Sequence, residues 1–232
     1  PHLRDIVAER LNVATCLVND ASAAALGEHR FGIGKGLVNL IYLTVSTGIG
    51  GGIIVDGKLY EGTDGCAGEL GHMIIEATGP KCNCGSYGCL EVLASGTAMA
   101  REAVSRIRDG EASVVAQLVD GVLDDVTAKI LATAARRGDL LACRIVHQSA
   151  TYLGGGLANL VNIFNPQMII VGGGVSRMGG MLLKPAREVV QKRAFRLPAQ
   201  TVQIVKSRLG HDAGILGAAA YVYEQKPGEA AR

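Results

Sequence analysis

Between His72 and Glu91 the chain reads HMIIEATGPKCNCGSYGCLE, which puts one imidazole and three thiols, those of His72, Cys82, Cys84 and Cys89, into a single short loop. That donor set suits a closed zinc site. Zinc takes a tetrahedral shell of Cys and His, and three thiolates with one imidazole leave no open position for a reacting water, so the metal would be structural. Gly79, Pro80, Gly85 and Gly88 permit the tight turns needed to aim four side chains at one point. A reduced, metal-free thiol cluster or a disulfide is the alternative, although Cys82 and Cys84, one residue apart, are poorly placed to bridge each other. The other thiols, Cys16, Cys66 and Cys143, are scattered.

Three carboxylates invite a chemical reading. Asp20 follows Asn19 at the end of an apolar run, where it would project from a sheet edge into the region in which α/β proteins bind substrates. It would serve equally as the N-cap of the helix that follows. Glu69 lies three residues before His72 and Glu91 two after Cys89. Both would be fixed by the metal loop and offered as acceptors to hydroxyl groups, unless they are solvated surface glutamates.

Two glycine-rich turns complete the inventory. In LTVSTGIGGGII, residues 43–54, a strand breaks at Ser46, Thr47 and Gly48 before another begins. Such a turn converges backbone N–H groups, and here the Thr47 hydroxyl, on an anion such as phosphate; alternatively it merely lets backbones approach closely. The second turn, VGGGVS with Gly172, Gly173 and Gly174, follows a buried strand and precedes a helix, which suits a nucleotide's base and ribose against bare backbone. It has neither G-x-G-x-x-G spacing nor a P-loop lysine, and a purely structural turn is its alternative.

These groups must be held by a mixed α/β framework. Apolar periodicity gives a helix at the start through Leu3, Ile6, Val7 and Leu11, a buried strand at 14–18, and a helix at 21–30 with Asp20 as its cap. Strands follow at 38–45, 51–55 and 58–60, the last two joined by the hairpin signal Asp56-Gly57. Helices are expected at 96–108, 114–118, 126–137 and 140–164. Strand 168–171, helix 181–193, strand 202–205 and helix 213–223 then alternate, as in a sheet covered by helices. The simplest organisation is one lobe carrying the metal loop (72–91) and a helical insertion (about 96–137).

With 232 residues, 48% of them hydrophobic, the chain can bury a large core and is not disordered. Its net charge is +2, and basic residues do not cluster beyond pairs such as Arg136–Arg137, so charge points to neither nucleic acid nor an anionic membrane. The uncharged stretch 37–55 holds four glycines and reads as two strands around a turn rather than a membrane span. Free thiols without an exported start point to a reducing cytoplasm. The chain begins at Pro1, without Met, directly in a helical pattern, which reads as an entry in mid-domain of an N-terminally incomplete protein.

Five blocks, VNDASAAALGE from Val18, VSTGIGGGI from Val45, GELGH from Gly68, CNCGSYGCLE from Cys82 and VGGGVS from Val171, together resemble the ROK family of bacterial glucokinases, other sugar kinases and sugar-responsive repressors. The resemblance spans nearly the whole chain. It implies an actin-like ATPase or hexokinase-type (ribonuclease H-like) fold in which two lobes close around the substrates, here mainly the C-terminal lobe. The implied activity is ATP-dependent phosphorylation of a hexose, glucose to glucose 6-phosphate first, with Mg²⁺ accompanying ATP and zinc in the loop. The alternatives are the sugar-sensing effector domain of a repressor and an N-acylhexosamine kinase.

Residue by residue, the resemblance makes Asp20 the catalytic base and Asn19, Glu69, His72 and Glu91 sugar-binding positions. His72 would also ligate zinc with Cys82, Cys84 and Cys89. Thr47 and Gly48 would lie in the second phosphate loop, and Gly172, Gly173 and Gly174 in the adenosine region. It further implies a homo-oligomer. The family's first phosphate motif, an Asp-x-Gly-Gly-Thr turn, is absent from this sequence, as is most of its N-terminal lobe. The 232 residues alone are therefore expected to lack half of the phosphate clamp and to show negligible kinase activity.

Overall fold

Strand β1 (Leu40–Val45) reads LIYLTV, an apolar run with almost no alternation, and it occupies the middle of a five-stranded sheet. A strand buried on both faces has no polar side to show, which is why the run is continuous. The structure is a computed structural model and describes residues 3–224. In it β1 pairs antiparallel with β2 (Ile49–Val55), from Leu40↔Ile54 to Val45↔Ile49, and parallel with β4 (Met168–Gly172) from Leu40↔Met168. The two-residue β3 (Lys58–Leu59) extends the β2 edge and β5 (Gln203–Lys206) the β4 edge, giving the order β3-β2-β1-β4-β5. Asp56 and Gly57 turn the β2–β3 hairpin with φ of 50° and 76°, both left-handed, as the Asp-Gly signal requires.

Alternate residues of the sheet feed two cores. Leu40, Tyr42, Ile54, Met168 and Ile170 pack against α2 (Asp20–Arg30) and α10 (Asp212–Glu224). Ile41, Leu43, Val45, Ile53, Ile169 and Val171 face the larger core. This core is closed by α4 (Gly96–Arg108), α5 (Val114–Leu118), α6 (Ala128–Arg136), α7 (Leu140–Phe164) and α8 (Gly180–Arg193). Local signals set most helix starts: Ser95, Ser113, Thr127 and Asp139 each accept a first-turn N–H, and Asn165, at φ 44°, ends α7 in the left-handed conformation. Among the described residues no helix is long and apolar enough to cross a membrane.

The structure departs from the sequence reading in specific places. Residues 14–18 form no strand: they are partly or fully exposed and lie outside the sheet, so the apolar run has no ladder to join. Apolar character alone does not supply a pairing partner. Two short helices, α3 (Leu90–Ala94) and α9 (Arg196–Thr201), escaped the periodicity reading because one turn of helix carries too little pattern. The expected 126–137 helix shortens to α6 because Thr127 caps it, and β2 begins at Ile49, two residues ahead of expectation. The first helix, α1 (Leu3–Leu11), forms as read but buries none of its residues.

Candidate active site

The candidate residues converge on the start of β2. At the head of α2 the Asn19 side chain accepts the N–H groups of Ala21 (2.9 Å) and Ser22 (3.2 Å), so Asn19, not Asp20, is the cap. Its extended backbone (φ −61°, ψ 141°) is what a cap needs, whereas Asp20 is already helical. Asp20 takes only the Ala21 N–H, on one oxygen at 2.7 Å, and stands exposed. The next residue packs on β2: a Cβ added at Gly50 would lie 3.1 Å from that of Ala21, and one at Gly52 would lie 2.5 Å from that of Ala25. On the opposite face Gly51 meets Leu70. For Gly50–Gly52, then, close approach explains the glycines: α2 and the 68–72 segment press on the strand from both sides.

Glu69 precedes a single 3₁₀ turn, Leu70–His72, and its Oε2 lies 3.9 Å from His72 Nε2. The other ring nitrogen, Nδ1, lies 3.7 Å from Cys82 Sγ, so one imidazole faces a carboxylate on one side and a thiol on the other. Cys84 and Cys89 sulfurs are 3.6 Å apart, and all four ligand atoms lie within 4.8 Å of one another. A tetrahedral ion with bonds of about 2.3 Å to sulfur has S···S edges of about 3.8 Å, so the cluster could hold a metal ion with little movement. Burial and the neighbouring thiols push the Cys89 thiol up to about 12, while the Ser86 backbone N–H pulls Cys84 down. The loop is laced by its own backbone, through Cys82 N–H to Ser86 C=O (2.7 Å), Gly88 N–H to Pro80 C=O (2.8 Å) and a bridge between Ile74 and Cys89.

Glu91, in the first turn of α3, does not stand free. Its Oε2 accepts the Ile49 N–H at 2.9 Å, tying α3 to the turn before β2.

Beyond that turn lies a cavity of about 590 Å³. Ser46 and Thr47 line one wall, Gly96 and Thr97 at the head of α4 another, and Thr127, Lys129 and Arg136 of the α6 region a third. Gly174, Arg177 and Met178, after β4, close it. Of Gly172, Gly173 and Gly174, at and beyond the end of β4, only Gly174 reaches the cavity; Gly172 lies against Tyr42, and Gly173, at φ 80°, passes beside the Val45 carbonyl. Lys129 and Arg177 went unnoticed in the sequence, and Arg136 drew notice only as half of a basic pair, since cations on helices carry no spacing signal. Arg177 Nη2 meets His211 Nε2 at 2.5 Å at the cavity rim.

Glu28 is another residue the sequence left unmarked. It is fully buried, with one oxygen accepting Ser207 Oγ–H (2.6 Å) and the Arg208 and Leu209 N–H groups (2.8 Å each), and the other accepting Ile33 N–H (3.0 Å). It straps the end of α2 to the segment before α10. Burial, with the nearby Glu28 carboxylate, also raises the Tyr42 hydroxyl above the usual tyrosine range.

Known proteins place this arrangement. Residues 2–225 match the sequence profile of the ROK family. The chain is 42% identical to a glucokinase of Thermotoga maritima over 223 residues, which are 96% of this chain and 70% of that protein. It is 37% identical to a xylose repressor of Caldicellulosiruptor bescii, over 95% of this chain and 55% of the repressor. Among solved structures it superposes, with a TM-score of 0.86 and 40% identity, on a ROK family glucokinase from Streptomyces griseus in complex with glucose and AMPPNP, covering 94% of this chain and 71% of that one.

Proposed function

The chain belongs to the ROK family, and from that premise we propose that the protein as its gene encodes it phosphorylates a hexose with ATP, glucose being the first substrate and glucose 6-phosphate the product. The observation that carries the reading is the freedom of Asp20. Asn19 caps α2, so the exposed Asp20 carboxylate keeps an oxygen with which to accept the proton of the attacking sugar hydroxyl. The sheet order, with β1 pairing antiparallel to β2 and parallel to β4, suits the actin-like type of fold.

Phosphoryl transfer demands positioning and charge neutralisation more than covalent help. Glu69, His72 and Glu91 flank the start of β2 and would orient the sugar through its hydroxyls, and Asn19, whose carbonyl is spent on the cap, still has amide N–H groups to donate. The Thr47 hydroxyl and the turn at Gly48 would meet the phosphates. Adenosine would occupy the adjoining cavity, with Gly174 as its backbone wall, Gly172 and Gly173 shaping the turn behind it, and Lys129, Arg136 and Arg177 offsetting negative charge. Mg²⁺ bound with the nucleotide supplies further neutralisation. Zinc fits the His72, Cys82, Cys84 and Cys89 set, closed and without a site for reacting water, and its office would be to hold His72 and Glu91 in register.

The similarity to the xylose repressor supports a second reading, a sugar-binding domain that transmits rather than transfers. One assay separates them. The protein as its gene encodes it, given glucose, ATP and Mg²⁺, is expected to yield glucose 6-phosphate and ADP in equal amounts; saturable glucose binding with no transfer would establish the sensor instead.

A further inference from the structure

Sugar contact alone does not account for Glu91. Its Oε2 already holds the Ile49 N–H at 2.9 Å, and a Cβ added at Gly48 would lie 2.5 Å from that same oxygen, so the carboxylate sits directly on the turn that joins β1 to β2. No other bond to either carboxylate oxygen occurs among the described residues, which leaves Oε1 for a ligand. The other end of the turn is gripped from the same side: Ser46 C=O accepts the Gly96 N–H at 2.7 Å, at the head of α4, and Ser46 N–H closes the turn on Gly48 C=O at 2.8 Å. The Ser95 N–H bonds the Glu91 carbonyl at 3.0 Å, so α3 and the head of α4 hold the turn as one unit. Ser46 and Thr47, between these two grips, are exposed and line the cavity.

We propose that Glu91 is a positioning residue that couples the sugar side of the site to the nucleotide side, with one oxygen holding the Ile49 N–H and the other accepting a sugar hydroxyl. This deepens the kinase reading and rests on it. A hydroxyl on Oε1 fixes the carboxylate, the fixed carboxylate fixes Ile49, and the Ser46–Thr47 turn meets the nucleotide phosphates with less freedom left to lose. Each ligand then raises the affinity for the other by the same factor, within the usual range of about 5–150-fold.

The test is calorimetric titration of glucose and of the non-hydrolysable analogue AMPPNP with Mg²⁺, each alone and in the presence of the other. In the unsubstituted protein the two affinities are expected to reinforce each other by about fivefold or more. Glu91→Ala should weaken AMPPNP even without sugar and bring the coupling factor to one. Glu91→Gln keeps a carbonyl oxygen for Ile49 N–H, and it should restore the affinity for AMPPNP alone while glucose stays weakened. Gly48→Ala, which pushes the carboxylate off the turn while keeping the Glu91 side chain itself, should lose the coupling as Glu91→Ala does, and it serves should Glu91→Ala fold poorly. Independent binding in the unsubstituted protein, or Glu91 variants that weaken glucose alone, would overturn the coupling and leave the kinase reading standing. Failure to bind either ligand would sink both.

Discussion

The Cys/His cluster that could hold a metal and the cleft are built by different means. His72, Cys82, Cys84 and Cys89 sit in one short loop whose turns are closed by its own backbone bonds. Asp20, Thr47, Glu91 and Gly174 come from far-separated segments and share a neighbourhood only because β2 and β4 flank β1 and because α2 and α3 press on the start of β2. A short loop costs little entropy to close and needs only a metal to hold it, whereas the cleft exists only when the whole sheet does. The two should therefore fail separately.

The largest expected effect lies in the cleft. Asp20→Asn keeps the Asn19 cap but removes the proton acceptor, so kcat for sugar phosphorylation should fall by about 10² to 10⁴ with glucose affinity and metal content unchanged. Steady-state kinetics beside metal analysis reads this, and undiminished turnover would reduce Asp20 to a first-turn helix carboxylate.

Breaking the strap at Glu28 attacks the assembly rather than the chemistry. Glu28→Ala takes the charged acceptor from four part-buried donors, such bonds contributing about 1.5–3 kcal/mol each before relaxation, so unfolding free energy should drop by about 3 kcal/mol or more in denaturant titrations. The folded fraction should still bind metal in full. A loss below about 1 kcal/mol would mean that α2 is held in place by packing alone.

Cys84→Ser runs the opposite experiment, since it opens the loop and spares the sheet. It should release the metal and weaken sugar binding by about 10 to 100-fold, through slack in His72 and Glu91. Little change in the denaturation midpoint should accompany it, and an unfolded variant would mean that the loop supports the fold and not only the site.

The smallest effect lies outside both regions. Tyr221 of α10 donates its hydroxyl to Glu61 Oε1 at 3.0 Å, and burial followed by that bond raises its pKa to about 12. A tyrosine raised in the folded state stays protonated after the unfolded chain has ionised. Its stabilisation is complete below about pH 10 and is lost as pH rises from about 10 toward 12. Tyr221→Phe should flatten that alkaline decline, as followed by thermal unfolding against pH; an unaltered decline would assign it to other groups, Tyr42 first among them.

The Cys/His cluster was legible because its members lie close together in the sequence. The donors of the metal cluster, the Asp-Gly hairpin and the long α7 are all written in local spacing or period, and the structure contains each of them. Residues 14–18 misled for the converse reason: a strand is a relation between two segments, and one segment cannot declare it. Asn19 and Asp20 were confused because adjacent Asn and Asp are both good caps, and only backbone angles decide which one serves. Lys129, Arg177 and Glu28 were invisible, and Arg136 showed only as half of a basic pair, since a charge acquires meaning from what lies opposite it.

The sequence by itself determined the mixed α/β class, the family and the Cys/His set that could hold a metal, because these depend on residue type, order and short-range geometry. Only the tertiary structure decided that Asp20 is free of the cap, that Gly50–Gly52 serve packing, that Thr47 opens on a cavity, and that Glu91 rests on the turn beside it. Those facts are distances between segments far apart in the chain, and they are fixed by the pairing of β1 with both β2 and β4 and the close packing that follows from it.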